Sequence, residues 1–187
     1  DNDEKSSTQS QVCPLVQGET YYLQTTFRTK LDQLGQNGTK LLTPLIDLSQ
    51  GMDLAAEPLV EAAIQMGVRR KAAKRAFEKA LQRQLACLAE MKAAGREAIA
   101  QLETDPDNFA VILFSRPYNG FAEEAHMGIP NKFASRGILV IPLDFLDIEE
   151  EFSKRHMYWG MGKMVMKAAR LAERHPQLFG TYITNFS

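Results

Sequence analysis

The sequence predicts an α/β fold: a mainly parallel sheet of about four strands flanked by helices, flavodoxin-like in its three layers, with one long amphipathic helix. Three observations lead there. Apolar runs of strand length alternate with helical patterns from Phe109 to Phe186. A helix-period stripe extends from Val68 to Leu102. A strand–helix–strand order implies right-handed crossovers, and these make neighbouring strands parallel.

The elements follow in chain order. Residues 1–11 are polar, rich in Ser, Gln, Asp and Asn, and are expected to be disordered. Residues 12–187 are expected to form a single α/β domain. Gly35, Asn37 and Gly38 are turn residues. Leu41–Leu48 is an apolar run compatible with a buried strand, although Pro44 weakens it. A helix is expected from Ala55 to Gln65, on the pattern of Leu59, Ala62, Ala63 and Met66; Pro58 fits only near its first turn.

The long helix is the clearest element. Phe77, Leu81, Leu85, Leu88 and Met91 follow one another at helical spacing, and Ile99 and Leu102 continue the stripe, which marks one face on a core. Gly95 is a weak point, costing about 1 kcal/mol against Ala in a helix interior. Asp105-Pro106-Asp107-Asn108 closes the helix in a turn.

Shorter units come next. Phe109–Phe114 reads as a strand, and a helix lies within Glu123–Ser135, interrupted or started near Ile129-Pro130. Gly137–Ile141 reads as a second strand, followed by Pro142, Asp144 and the acidic stretch Asp147–Glu151. Tyr158–Arg174 reads as a helix with Met161, Met164, Val165, Ala168 and Leu171 on one side, and Phe179–Phe186 as a last strand.

Composition narrows the function classes. With 187 residues and 44% hydrophobic side chains, the chain can bury a core. A net charge of −1 argues against a protein that coats nucleic acid. No apolar run approaches the roughly 20 residues of a membrane helix, and no secretion signal is visible, so a cytoplasmic location is expected. Asp1 rather than Met opens the chain, and Thr181–Ser187 reads as a strand without its following loop. The expectation is a fragment of a larger protein.

Cys13 and Cys87 do not make a disulfide scaffold in a chain of this length. Cys87 sits among Leu85, Leu88 and Met91 and reads as a small core residue. Pro14 biases Cys13 toward an extended backbone. His126, His156 and His175 supply no zinc spacing with either cysteine. An iron–sulfur site would need thiolates from outside these residues.

Val111-Ile-Leu-Phe-Ser-Arg-Pro-Tyr-Asn-Gly120 is the most informative stretch. A strand-length run ends in a loop holding a guanidinium, a phenol and a carboxamide. Ligands of parallel α/β sheets sit beyond the carboxyl ends of strands. If the loops after Phe114, Ile141 and Ile183 share one edge, that edge gathers Arg116, Tyr118, Asn119, Asp144 and Asn185 as candidates for binding a substrate or an anion. Arg116 suits a carboxylate or phosphate through two parallel hydrogen bonds, and equally suits a tie within its own loop. Asp144 has a rival role as a helix-start or turn residue, and Asn185 as an Asx-turn residue. No catalytic residue is assigned.

Other features favour plainer roles. Tyr158-Trp159 can stack on a ring, but packing against the sheet suits the pair better. His126 reads as a surface histidine without an assigned partner. Arg69, Arg70, Lys71, Lys74, Arg75 and Lys79 open the long helix, where cations oppose the macrodipole. They read as a solvated face, or as a contact for an anionic partner. No phosphate-binding glycine pattern occurs.

A family resemblance rests on several ordered motifs: Ser115-Arg-Pro-Tyr-Asn119, Glu124-Ala-His-Met-Gly-Ile-Pro130, Lys132-Phe-Ala-Ser-Arg-Gly137 and Ile141-Pro-Leu-Asp-Phe-Leu146. Tyr158-Trp-Gly-Met-Gly162 and the stretch from His175 to Ser187 extend it, while Cys13-Pro14 matches more loosely. Together they resemble a domain of large CoA-substrate-specific enzyme activases, related to 2-hydroxyacyl-CoA dehydratase and benzoyl-CoA reductase systems. The match is carried best by residues 109–187. It departs from the family pattern at His126, where asparagine is frequent, and at Ser115, where glycine is.

The resemblance implies an accessory domain in ATP-driven, low-potential electron transfer of anaerobic metabolism, not expected to be catalytic as an isolated fragment. It implies Cys13 as one ligand of a [4Fe-4S] cluster in the full-length protein, completed beyond Ser187, with no cofactor expected in this fragment. Implied partners are other domains of the parent polypeptide and acyl-CoA dehydratase or reductase subunits, with neither nucleic acid nor membrane among them. A non-catalytic scaffold or docking domain, or a module that binds CoA or another anion, are the alternatives.

Overall fold

The strand predicted at Phe109–Phe114 forms the centre of the sheet because its residues are apolar and suited to burial on two faces. The structure is a computed structural model and describes residues 13–48, 51–151 and 157–184. It falls into two units divided between Gln84 and Leu85.

The first unit is helical. Its elements are α1 (Pro14–Thr26), α2 (Arg28–Gln36), a 3-10 turn (Met52–Ala55), α3 (Ala56–Gln65) and the opening turns of α4 (Arg70–Leu102). Pro14 occupies the first helical position of α1, where its missing N–H costs nothing. Cys13 caps that helix with extended geometry (ψ 132°), as the following proline dictates. Neither α1 nor α2 buries a residue, so no burial stripe announced them in the sequence. Asn37 and Gly38 (φ +83°) end α2, as the turn residues predict. Arg70 pairs with both Glu57 and Glu61 and so ties α4 to α3.

One expectation fails in this unit. Leu41–Leu48 forms no strand, and Leu45 is 87% exposed. Pro44 removes a ladder donor and restricts Thr43, so the apolar run does not pair. The sheet therefore has three strands among the described residues rather than about four.

The second unit carries that sheet: β1 (Ala110–Phe114), β2 (Leu139–Pro142) and β3 (Leu178–Tyr182), in the order β2-β1-β3. Both neighbours run parallel to β1, with Leu113 opposite Pro142 and Thr181, and Phe114 opposite Tyr182. α5 (Pro117–Phe121), α6 (Glu123–His126) and α7 (Ile129–Ala134) separate β1 from β2. A 3-10 turn (Leu143–Phe145) and α8 (Gly160–Arg174) follow β2.

All five β1 residues are buried. Ala110, Ile112 and Phe114 share a core with Leu102, Ile141, Leu143, Leu146, Ile148, Ala168 and Leu178. Ala98 and Ile99 of α4 and Met161, Met164, Val165 and Leu171 of α8 pack against it, which explains both helical stripes. Val111 and Leu113 point to the opposite face, as strand alternation requires. Earlier on the α4 stripe, Leu85 is 51% exposed and Cys87 is half-buried, so neither is a full core residue.

α4 runs unbroken through Gly95. That glycine is buried, and a Cβ there would collide with the Phe145 carbonyl. At the other end of the sheet, the Gln177 amide shares its two N–H groups among the carbonyls of Leu102 (3.1 Å), Asp105 (2.8 Å) and Asn108 (2.8 Å). That one side chain satisfies the last turn of α4 and the loop that leads into β1.

Candidate functional site at the carboxyl edge of the sheet

Parallel pairing on both sides of β1 brings the carboxyl ends of all three strands to one edge. The Ile183 N–H donates to the Phe114 carbonyl at 2.9 Å and carries the β3 pairing to the point where β1 ends. The rings of Phe121 and Phe145 lie 6.4 Å apart, so the segments that leave β1 and β2 touch. The edge is a continuous rim rather than three separate loop tips.

Arg116 stands at the β1 exit. Its backbone is extended because Pro117 follows, and its carbonyl receives the N–H groups of Asn119 and Gly120, both at 2.9 Å. Arg116 and Tyr118 are exposed, whereas Asn119 is only 2% exposed. The turn is tight: a Cβ at Gly120 would overlap the Ser115 hydroxyl. A side chain at 120 would have to displace the Ser115 hydroxyl, so glycine here serves close approach rather than a positive φ.

Asp144 lies in the 3-10 turn after β2. Partial burial raises its carboxyl above the ordinary value of 3.8, and a hydrogen bond from its own backbone N–H opposes the rise. Its turn role and its rim position therefore coexist. The structure brings Arg116, Tyr118, Asn119 and Asp144 to the same edge; Asn185 lies outside the described residues. Cys13 belongs to the first unit and is half-buried at the start of α1.

Two features escaped the sequence reading. His126 is buried (7% exposed), not a surface residue, and its Nδ1 accepts the Gly128 N–H at 3.1 Å. The acceptor role of Nδ1 places the proton of the neutral ring on Nε2. Met127 (φ 50°) and Gly128 (φ 69°) are both left-handed, which folds the chain back far enough for that bond. The second feature is a concentration: Ser115, Asn119 and His126 are the buried polar residues among the described ones, and all lie in the segment after β1. A serine, an asparagine and a histidine at a strand exit carry no apolar period, so pattern alone could not mark them as buried. Tyr158 and Trp159, just before α8, are 48% and 44% exposed.

The edge offers a guanidinium, a phenol and a carboxyl group, a set that can hold a polar or anionic molecule. A four-thiolate cluster needs more than this chain supplies, since it has two cysteines. Among the described residues no group of three or more His, Cys, Asp or Glu side chains is placed to hold a metal ion. Cys13 fits such a cluster only as one thiolate of a set completed by other residues. Among the described residues, no helix is long and apolar enough to cross a membrane.

A family model described as CoA enzyme activase uncharacterised domain (DUF2229) matches residues 1–146. It reaches from the helical first unit through the 3-10 turn that follows β2, and so includes Cys13, Arg116, Tyr118, Asn119 and Asp144. It overlaps the motif resemblance from Phe109 to Leu146 and extends it toward the amino end. No curated protein and no solved structure matches the chain.

Proposed function

Because the chain belongs to the CoA enzyme activase domain family, we propose that it is an accessory domain of such a protein and contributes to ATP-driven, low-potential electron transfer. In this reading the parent polypeptide also contains the ATP-hydrolysing part, and Cys13 supplies one thiolate to a [4Fe-4S] cluster whose other ligands lie outside these residues. Acyl-CoA dehydratase or reductase subunits receive the electron. The observation that supports it is the family match, which spans Cys13 and the rim together. Anaerobic reconstitution of the parent polypeptide with iron and sulfide tests it. Thiolate-to-iron absorbance that falls on Cys13→Ser supports the reading, and equal iron uptake by both proteins removes Cys13 from it.

A second reading draws on the rim. Arg116 and Tyr118, exposed at a strand exit beside a turn that carries Asp144, suit a small anion or CoA. Titration of CoA against the wild type and Arg116→Ala decides whether this edge binds. Weaker binding by the variant supports the site, and equal affinity excludes Arg116.

A further inference from the structure

We infer that the outer face of α4 between Lys71 and Lys79 is a docking surface for an acidic helix of a partner protein. Lys71, Arg75 and Lys79 recur at four-residue spacing and form one line about 12 Å long at 1.5 Å per residue. All three are exposed, and among the described residues none of them enters an ion pair. The buried side of these turns is elsewhere, at Ala73 with half-buried Phe77 and Leu81.

The arrangement works against the helix that bears it. Like charges at i,i+4 repel, and cations in the opening turns oppose the macrodipole. Of the neighbouring charges, Arg70 is engaged by Glu57 and Glu61, and Lys74 lies near enough to Glu57 to help hold its carboxyl low. Farther along α4 the pattern is different: Lys92 and Arg96 meet Asp147, and Lys92 also meets Glu149. The same helix thus matches its later cations internally and leaves the earlier line for carboxylates from outside.

The neighbouring line sets the class of partner. Ala72, Ala76 and Ala80 follow each cation by one residue and are exposed. Small side chains beside a basic row admit a second helix at close range, with its carboxylates over the cations. Duplex nucleic acid is the poorer partner, because the chain as a whole carries a net charge of −1.

The test uses the full chain and an alanine-based helical peptide with Glu at i, i+4 and i+8. Binding should be salt-sensitive and fall roughly tenfold or more in Lys71→Glu/Arg75→Glu/Lys79→Glu. Reversing Lys132, Arg136 and Lys163 instead should leave affinity unchanged. The first triple variant should melt no lower than the wild type, because carboxylates in the opening turns suit the macrodipole that the cations oppose, so lost binding is not lost folding. No binding by the wild type, equal binding by the first triple variant, or equal binding of a proline-interrupted peptide of the same composition overturns the proposal. Tighter binding of duplex DNA than of the peptide also overturns it.

Discussion

Gly95 of α4 lies against the backbone carbonyl of Phe145, at a separation that leaves no space for a β-carbon. The contact brings the long helix onto the turn that holds Asp144, so the placement of the rim depends on it. In an ordinary exposed helix, Gly→Ala adds about 1 kcal/mol of stability. Here the sign should reverse. Gly95→Ala is expected to lose about 1–3 kcal/mol, because the obstacle is backbone rather than a flexible side chain. Urea denaturation measures it, and a stabilised variant would contradict the packing.

The Gln177 amide makes a second prediction. Its three carbonyl acceptors belong to the α4 end and the loop before β1. Gln177→Ala should cost about 0.5–1.5 kcal/mol, since the part-buried Leu102 carbonyl loses its donor while the exposed carbonyls of Asp105 and Asn108 can turn to water. Hydrogen exchange should show the loss first at the turn around Asp105–Asn108. An unchanged midpoint would mean that water replaces the amide without cost.

Asp144 links the rim to pH. Its folded-state carboxyl is raised above 3.8 by burial. The folded protein therefore binds this proton more tightly than the unfolded chain, and the group's contribution falls as pH rises from 3.8 through the folded value. Asp144→Asn keeps an acceptor for the backbone N–H and removes the charge. It should raise the melting temperature at pH 7, with the gain vanishing below pH 3.8. A variant less stable at pH 7 would show that the carboxylate is held by a partner.

Glu57 behaves in the opposite sense. The Arg70 guanidinium holds its carboxyl below the ordinary 4.5. Both side chains are well exposed, so the effect on stability is small. Its signature is the titration itself. In Arg70→Ala, the Glu57 carboxyl followed by NMR should titrate closer to 4.5, while Asp144 titrates as before. An unmoved Glu57 would show that the pair does not persist in solution.

Much of the second unit was legible because burial leaves a period. The α4 and α8 stripes meet the same core, and the uninterrupted apolar run of β1 reflects burial on both faces. The parallel sheet followed from the alternation of elements. Leu41–Leu48 misled because hydrophobicity without a pairing partner looks the same in sequence as a buried strand. α1 and α2 went unread because helices that bury nothing leave no stripe. Gly95 shows a different limit: a glycine that weakens a helix and one that admits a neighbour are the same letter. At the rim, residue types at a strand exit indicated Arg116, Tyr118, Asn119 and Asp144. The burial of Ser115 and His126 was hidden because it arises from how the short helices fold back.

The central claim is that this domain takes part in electron delivery through Cys13. Its most direct test is ATP-dependent electron transfer from the reduced parent polypeptide to an acyl-CoA dehydratase or reductase subunit, with the cluster followed by electron paramagnetic resonance. Cys13→Ser should abolish or alter the cluster signal and remove the transfer, while the sheet unit stays folded. An unchanged signal with undiminished transfer would contradict the account.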